Sequence, residues 1–232
     1  MNESESPRKV RVRLAETAPL ARADTETGRF VEWPSSCGEF EWEVPGCGSL
    51  LLVSGAAADE SAPAKLSGAV INIDKGWKMA IESSLAAGPS VLEVVKCDNA
   101  PFLATKLGDW RDLLGEEFSG RVIYRVAFNS PAEDEAELDL GEVHNCCSVR
   151  LNGQDIGAKY AGPYTWRVAL RRGVNKLEVT VANAPVNALA PLHFRRYVAA
   201  AFPPESSYEK RVRKFNECGH ESGLYGPVLV KP

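Results

Sequence analysis

Carboxylates are the side chains that most invite a chemical reading. Glu133, Asp134, Glu135, Glu137, Asp139 and Glu142 crowd one stretch. Cleaving a glycosidic bond takes two carboxyl groups facing each other across the sugar, roughly 5–9.5 Å apart. On an extended strand, residues 135, 137 and 139 share one face, so this run reads as a solvated outer face and not as an acid–base pair. Hard oxygen ligands clustered this way also suit a structural calcium ion. The histidines, His144, His193 and His220, sit in unrelated contexts. No Gly-x-Ser-x-Gly elbow accompanies them, and neither a phosphate loop nor a dinucleotide fingerprint is present. No catalytic residue is assigned.

Recognition is better supplied than catalysis. Sugars are held by an aromatic ring against their C–H face and by planar polar side chains on their hydroxyls. Seven residues, most of them in expected loops, have the right chemistry: Trp110, His144, Tyr160, Tyr164, Asn187, Arg195 and Tyr225. Trp110 lies in the polar segment Gly108-Asp-Trp-Arg-Asp112, and Tyr160 in Lys159-Tyr-Ala-Gly162. His144 follows Gly141-Glu-Val in an expected loop. Asn183 also offers an amide, and His193 a ring, while Trp77 and Trp166 fall inside strand patterns and are expected in the core. The cysteines, at 37, 47, 97, 146, 147 and 218, form no CxxC or zinc spacing. They are expected to be reduced and mostly buried.

The elements that must position these groups are β-strands. Short runs rich in Val, Leu, Ile and aromatics, bounded by Gly, Pro, Asn or Ser, predict strands at 10–15, 29–33, 39–44, 49–55, 69–82 (broken near Gly76), 90–97, 120–128, 134–140, 146–151, 164–170, 175–183 and 227–231. Arg121–Phe128 and Lys176–Val181 alternate as half-buried strands of an antiparallel sandwich do. Asn152-Gly153 is the strongest hairpin signal, since a type I′ turn needs positive φ at both central residues. One helix is expected over 206–219, opened by a Ser206/Glu209 capping box and closed at Gly219. It lies in a long irregular connection, 184–221, of the kind that often carries function.

The chain has 232 residues, 44% of them hydrophobic, and a formal charge of −4. That is enough chain for a sizeable core. The charge argues against nucleic acid and anionic membrane surfaces as partners, and no apolar run is long enough to cross a bilayer. The N-terminal segment lacks the apolar middle of a secretory signal, so the protein is expected either to stay in the cytoplasm or to be part of something longer. A small, polar, Pro-containing stretch at 56–67 reads as a linker. It separates a small β-rich segment, 1–55, from a larger sandwich, 68–232.

Several phrases of the larger portion come in a telling order: Phe118-Ser-Gly-Arg-Val-Ile-Tyr124, Leu138-Asp-Leu-Gly141, Val149-Arg-Leu-Asn-Gly153, Gly173-Val-Asn-Lys-Leu-Glu-Val179, Val181-Ala-Asn183 and Ser222-Gly-Leu-Tyr-Gly-Pro-Val228. Together they resemble the galactose-binding-like jelly roll of family 2 glycoside hydrolases. They are more similar still to the C-terminal module of family 106 type α-L-rhamnosidases. In the smaller portion, Asp24-Thr-Glu-Thr-Gly28 and Val44-Pro-Gly-Cys-Gly-Ser-Leu-Leu-Leu-Val53 are similar to the β-rich segment that precedes that module. The resemblance implies an all-β, galactose-binding-like jelly-roll β-sandwich with one short helix. It implies a non-catalytic carbohydrate-binding or positioning role beside a catalytic glycoside hydrolase domain, in a family often secreted or periplasmic. It implies no cofactor beyond a structural calcium ion. The family's acidic sugar contact before the Ser-Gly is not matched, since Cys218, Gly219 and His220 stand there with only Glu221 adjacent. The alternatives are a structural or protein-interaction sandwich and, further off, a free-standing glycosidase.

Overall fold

The computed structural model describes residues 6–14, 19–23, 29–33, 39–44, 48–56, 58, 69–87, 92–189 and 220–231. The chain forms two compact units, Met1–Lys65 and Leu66–Pro232. The expected helix over 206–219 lies outside the described residues.

The smaller unit contains β1 (Arg8–Arg13), β2 (Leu20–Ala23), β3 (Phe30–Glu32), β4 (Glu39–Val44) and β5 (Leu52–Ser54). β1 pairs antiparallel with β4, and β2 lies between β3 and β5. The β1–β4 register sets Arg11 opposite Glu41 and Arg13 opposite Glu39. The matching ion pairs, both 3.0 Å, are largely exposed. Such pairs fix register more than they add stability. Apolar packing here is modest: the Trp33 ring meets Trp42 at 4.8 Å and Phe40 at 5.3 Å between centroids.

The larger unit contains β6 (Ile71–Asn72), β7 (Lys78–Ala87), β8 (Leu92–Lys96), β9 (Leu103–Ala104), β10 (Gly108–Asp109), α1 (Arg111–Leu114), β11 (Gly120–Ser130), β12 (Glu135–Asp139), β13 (Glu142–His144), β14 (Cys146–Leu151), β15 (Gln154–Lys159), β16 (Thr165–Ala169), β17 (Gly173–Ala182), α2 (Val186–Leu189), β18 (Gly223–Gly226) and β19 (Leu229–Lys231). A seven-stranded sheet runs β15-β14-β17-β11-β7-β8, with β9 beside β7. A four-stranded sheet runs β16-β12-β19-β6, and a three-stranded one β10-β18-β13. All the strand pairs are antiparallel. This is an all-β sandwich.

The core follows from alternation. β11 buries every second side chain, Val122, Tyr124, Val126 and Phe128, and β17 does the same with Leu177, Val179 and Val181. They share one core with Leu138 of β12, Trp166 and Val168 of β16, and Val230 of β19. Each such side chain contributes about 1.5–3 kcal/mol on burial. An acidic residue at Val179, which is fully buried, would put an unpaired charge there and break the sandwich. Trp77 is in the core, its indole donating to the Ile73 carbonyl at 2.9 Å. It follows Gly76, whose φ of +83° makes the break between β6 and β7. Asn152 and Gly153 have φ of 54° and 84°, as a type I′ turn between β14 and β15 requires. Among the described residues no helix is long and apolar enough to cross a membrane.

The acidic run is a cross-strand ladder. Glu135 faces Arg167 of β16, and Lys231 of β19 lies between Glu137 and Asp139. These carboxylates answer cations on neighbouring strands, and not one another.

Candidate functional site

Three separated phrases of the sequence meet through buried hydrogen bonds. Asn183, just past β17, accepts from the Gly120 N–H at 2.9 Å and donates to the Phe118 carbonyl at 2.8 Å and to Ser222 Oγ at 2.9 Å. Asn187 in α2 donates to the same Ser222 Oγ at 3.2 Å and to the His220 carbonyl at 3.0 Å. Ser119 Oγ donates to the Ala184 carbonyl and accepts from the Ala188 N–H. A Cβ at Gly120 would fall on the Ser83 carbonyl of β7, so only glycine lets β11 lie this close. The network seats β18 between β10 and β13, and that sheet builds the site.

Alternation then decides what the sheet presents. Leu224 of β18 and Val143 of β13 point into the core, and Tyr225, Glu142 and His144 point outward. The His144 and Tyr225 rings lie 4.8 Å apart. His144 Nε2 is 2.8 Å from Glu142 Oε1 and 3.9 Å from Glu221 Oε2. On the other side, Asp109 of β10 takes the Arg111 guanidinium at 2.6 Å on Oδ2 and the Arg111 N–H at 3.0 Å on Oδ1. The result is two aromatic rings flanked by three carboxylates and one guanidinium.

Electrostatics fix the charge states on the Asp109 side. Burial pushes the Asp109 carboxyl up, but the hydrogen bonds from Arg111 and Tyr225 outweigh it and leave the group below its ordinary value. Arg111 is held charged by the same contact. Tyr225 moves the other way, because burial and then the adjacent Asp109 carboxylate disfavour its phenolate. Its hydroxyl stays protonated, buried beside Asp109 and out of reach of an outside ligand.

Glu142, His144 and Glu221 each bring one ligand atom within 4.8 Å of the others. A nitrogen with two carboxylates suits a transition metal better than calcium, which prefers oxygen throughout. As a glycosidase pair the two glutamates are poorly set. Their side chains are 61% and 58% exposed and the imidazole stands beside both, whereas a general acid needs a desolvated position.

The candidate residues read from the sequence fare differently. His144 and Tyr225 are brought together, but in short strands and not in loops. Trp110 is a correction: it is 1% exposed, packs edge-on against Phe118, and has no face left for a sugar. Its backbone N–H donates to the Ser222 carbonyl, so it anchors the site from below. Tyr164 is buried too, its hydroxyl donating to the Asn145 carbonyl beside His144. Asn187 is spent on His220 and Ser222, which makes it a positioning residue. Tyr160 is 83% exposed. Arg195 and His193 lie outside the described residues. Asp109, Arg111, Glu142 and Glu221 join the site only through the fold. The Asp-Trp-Arg spacing around Trp110 was the available signal, with the polar flanks facing the site instead of the ring.

No family model matches the sequence, and no curated protein matches it at a significant level. Solved structures do. A rhamnosidase from Novosphingobium sp. PP1Y superposes over 99% of this chain with a TM-score of 0.65 and 23% identity. A β-glucuronidase from Faecalibacterium prausnitzii covers 73% of the chain and 32% of its own length, with a TM-score of 0.42 and 18% identity. A family 2 β-galacturonidase from Eisenbergiella tayi covers 70% and 24%, with a TM-score of 0.38 and 16% identity. This chain spans 22% of the rhamnosidase's length. Almost the whole chain therefore has the fold of a β-rich segment of that rhamnosidase.

Proposed function

We propose that this chain is a non-catalytic carbohydrate-binding or positioning module of a rhamnosidase-like glycoside hydrolase. Its larger unit acts as a galactose-binding-like jelly roll, with the Tyr225–His144 face as the sugar contact. One observation carries the reading: the Tyr225 and His144 rings lie together on one outward face with the Glu142 and Glu221 carboxylates beside them. Tyr225 and His144 meet the C–H face of a pyranose, while Glu142 and Glu221 accept from hydroxyls. Arg111 holds Asp109 in place. The likeness to one-fifth of a rhamnosidase agrees with an accessory part and not a whole enzyme. The chain is expected to serve a catalytic domain that it does not itself supply.

Calorimetric titration with rhamnose- and galactose-containing oligosaccharides tests this. Heat should appear with at least one neutral glycan and vanish in Tyr225→Ala. Silence across a broad panel would leave the chain a structural or protein-docking sandwich. Turnover of an aryl glycoside, lost in Glu142→Gln, would make it an enzyme.

A further inference from the structure

A second surface lies on the outer face of the seven-stranded sheet, on side chains the Tyr225 site does not use. Strand register builds it. Arg150 of β14 pairs with Glu178 of β17, Glu178 with Arg125 of β11, and Arg125 with Lys78 of β7. Directly paired residues share a face, so these four form a row straight across four strands. At about 4.8 Å per strand spacing the row runs roughly 14 Å. Lys176 stands two residues from Glu178 on the same face of β17. Together they line a shallow groove of about 540 Å³.

The charge of this groove opposes that of the chain. Four cations meet one carboxylate here, on a chain of net charge −4. The carboxylate is already committed: Glu178 Oε2 lies 2.6 Å from Arg125 Nε, and Oε1 3.8 Å from Arg150 Nη1. Arg125 is further held over the Phe102 ring at 4.0 Å. Two guanidinium groups are thus fixed in place, while Lys78 and Lys176 have no acidic partner among the described residues. Arg121, also on β11, pairs with Glu82 at 2.8 Å, whereas Arg125 and Arg150 share the single Glu178 carboxylate.

We infer that this row binds a carboxylate-bearing polysaccharide laid across the strands. Fixed guanidinium forks suit successive carboxylates, and the two lysines supply unspent charge. A folded protein partner is a poorer fit. Interfaces of that kind are anchored by buried aromatic or large apolar residues, and none of the exposed large hydrophobics of the described residues lines this groove. The choice of a sugar polymer over other polyanions rests on the glycan-handling role proposed above. The surface itself is separate from the Tyr225 site.

The test is binding of the full chain to polygalacturonate, to its neutral methyl ester and to polyglutamate, at low and at physiological salt. Polygalacturonate should bind, the ester and polyglutamate should bind much more weakly, and added salt should loosen the complex. The double variant Lys78→Glu/Lys176→Glu, at two exposed and unpaired positions, should keep its melting temperature and lose about tenfold or more in affinity. Tyr225→Ala should leave the polyuronate bound, so failure of the neutral-sugar reading does not touch this result. An unchanged affinity in the double variant, equal binding of polyglutamate, or no binding of polygalacturonate would each overturn the inference.

Discussion

Replacing Asn183 with alanine should loosen the site without touching any residue that faces a ligand. The Asn183 amide makes three hydrogen bonds, to Gly120 N–H, Phe118 O and Ser222 Oγ. Each is worth about 1 kcal/mol net, about 3 kcal/mol together, and a buried N–H left without an acceptor accounts for the largest share of that. Ser222 Oγ keeps its bonds to Asn187 and His220, so the orphan that matters is Gly120 N–H. The expected loss is about 3 kcal/mol. For a unit of this size, 1 kcal/mol moves the midpoint by about 2–4 °C, so calorimetry should show the larger unit melting about 6–12 °C lower. Asn187→Ala should cost less. The double variant should cost less than the sum of the two, because both amides share Ser222. Hydrogen exchange at Trp110, whose N–H is held by Ser222 O, should quicken in step. A loss under about 1 kcal/mol, or unchanged exchange at Trp110, would refute the claim that this network seats β18.

Three further outcomes follow from particular groups. Asp109 is below its ordinary pKa in the folded chain, so its contribution to stability is present above the unfolded value near 4 and is lost as pH falls through the lower folded value. The stability gap between the native chain and Asp109→Asn, measured by urea unfolding, should be flat near neutrality and close only below about pH 4; a gap that opens on acidification would contradict this. Burial, more than the neighbouring Cys146, pushes the Cys147 thiol up to about 12. Iodoacetamide at mildly alkaline pH should therefore spare Cys147 in the folded chain and label it in urea, as peptide mass spectrometry would show. Gly120→Ala should lower the yield of folded protein or its midpoint by several degrees, because the Ser83 backbone has no room to yield; wild-type melting would show the close β7–β11 approach to be wrong.

What could be read from the residues, and what could not, divides along physical lines. The long strands β11 and β17 were legible because ten or so alternating positions give an unmistakable period of two. Asn152-Gly153 was legible because the turn chemistry is local. The sheet that carries the site was not. β10, β13 and β18 are two to four residues long, too short for a period, and β13 pairs with β18 through a register shift. His144 and Tyr225 therefore looked like loop residues with the right chemistry, and their adjacency is visible only in the fold. Trp110 misled for a related reason. Its polar neighbours suggested exposure, yet Asp109 and Arg111 take the outward positions and turn the indole inward. The phrases at 118–120, 181–183 and 222–223 were recognisable as a pattern. Their common cause, one asparagine bridging two chain segments to a buried serine, is tertiary and has no local signature.

The central claim is that a neutral glycan sits on the outward face of the three-stranded sheet. Mapping backbone amide shifts of the full chain during titration with a rhamnose-containing oligosaccharide addresses it most directly. The predicted result is saturable movement confined to Asp109–Arg111, Glu142–His144 and Glu221–Tyr225. Shifts centred elsewhere on the sandwich, or none at saturating sugar, would contradict it.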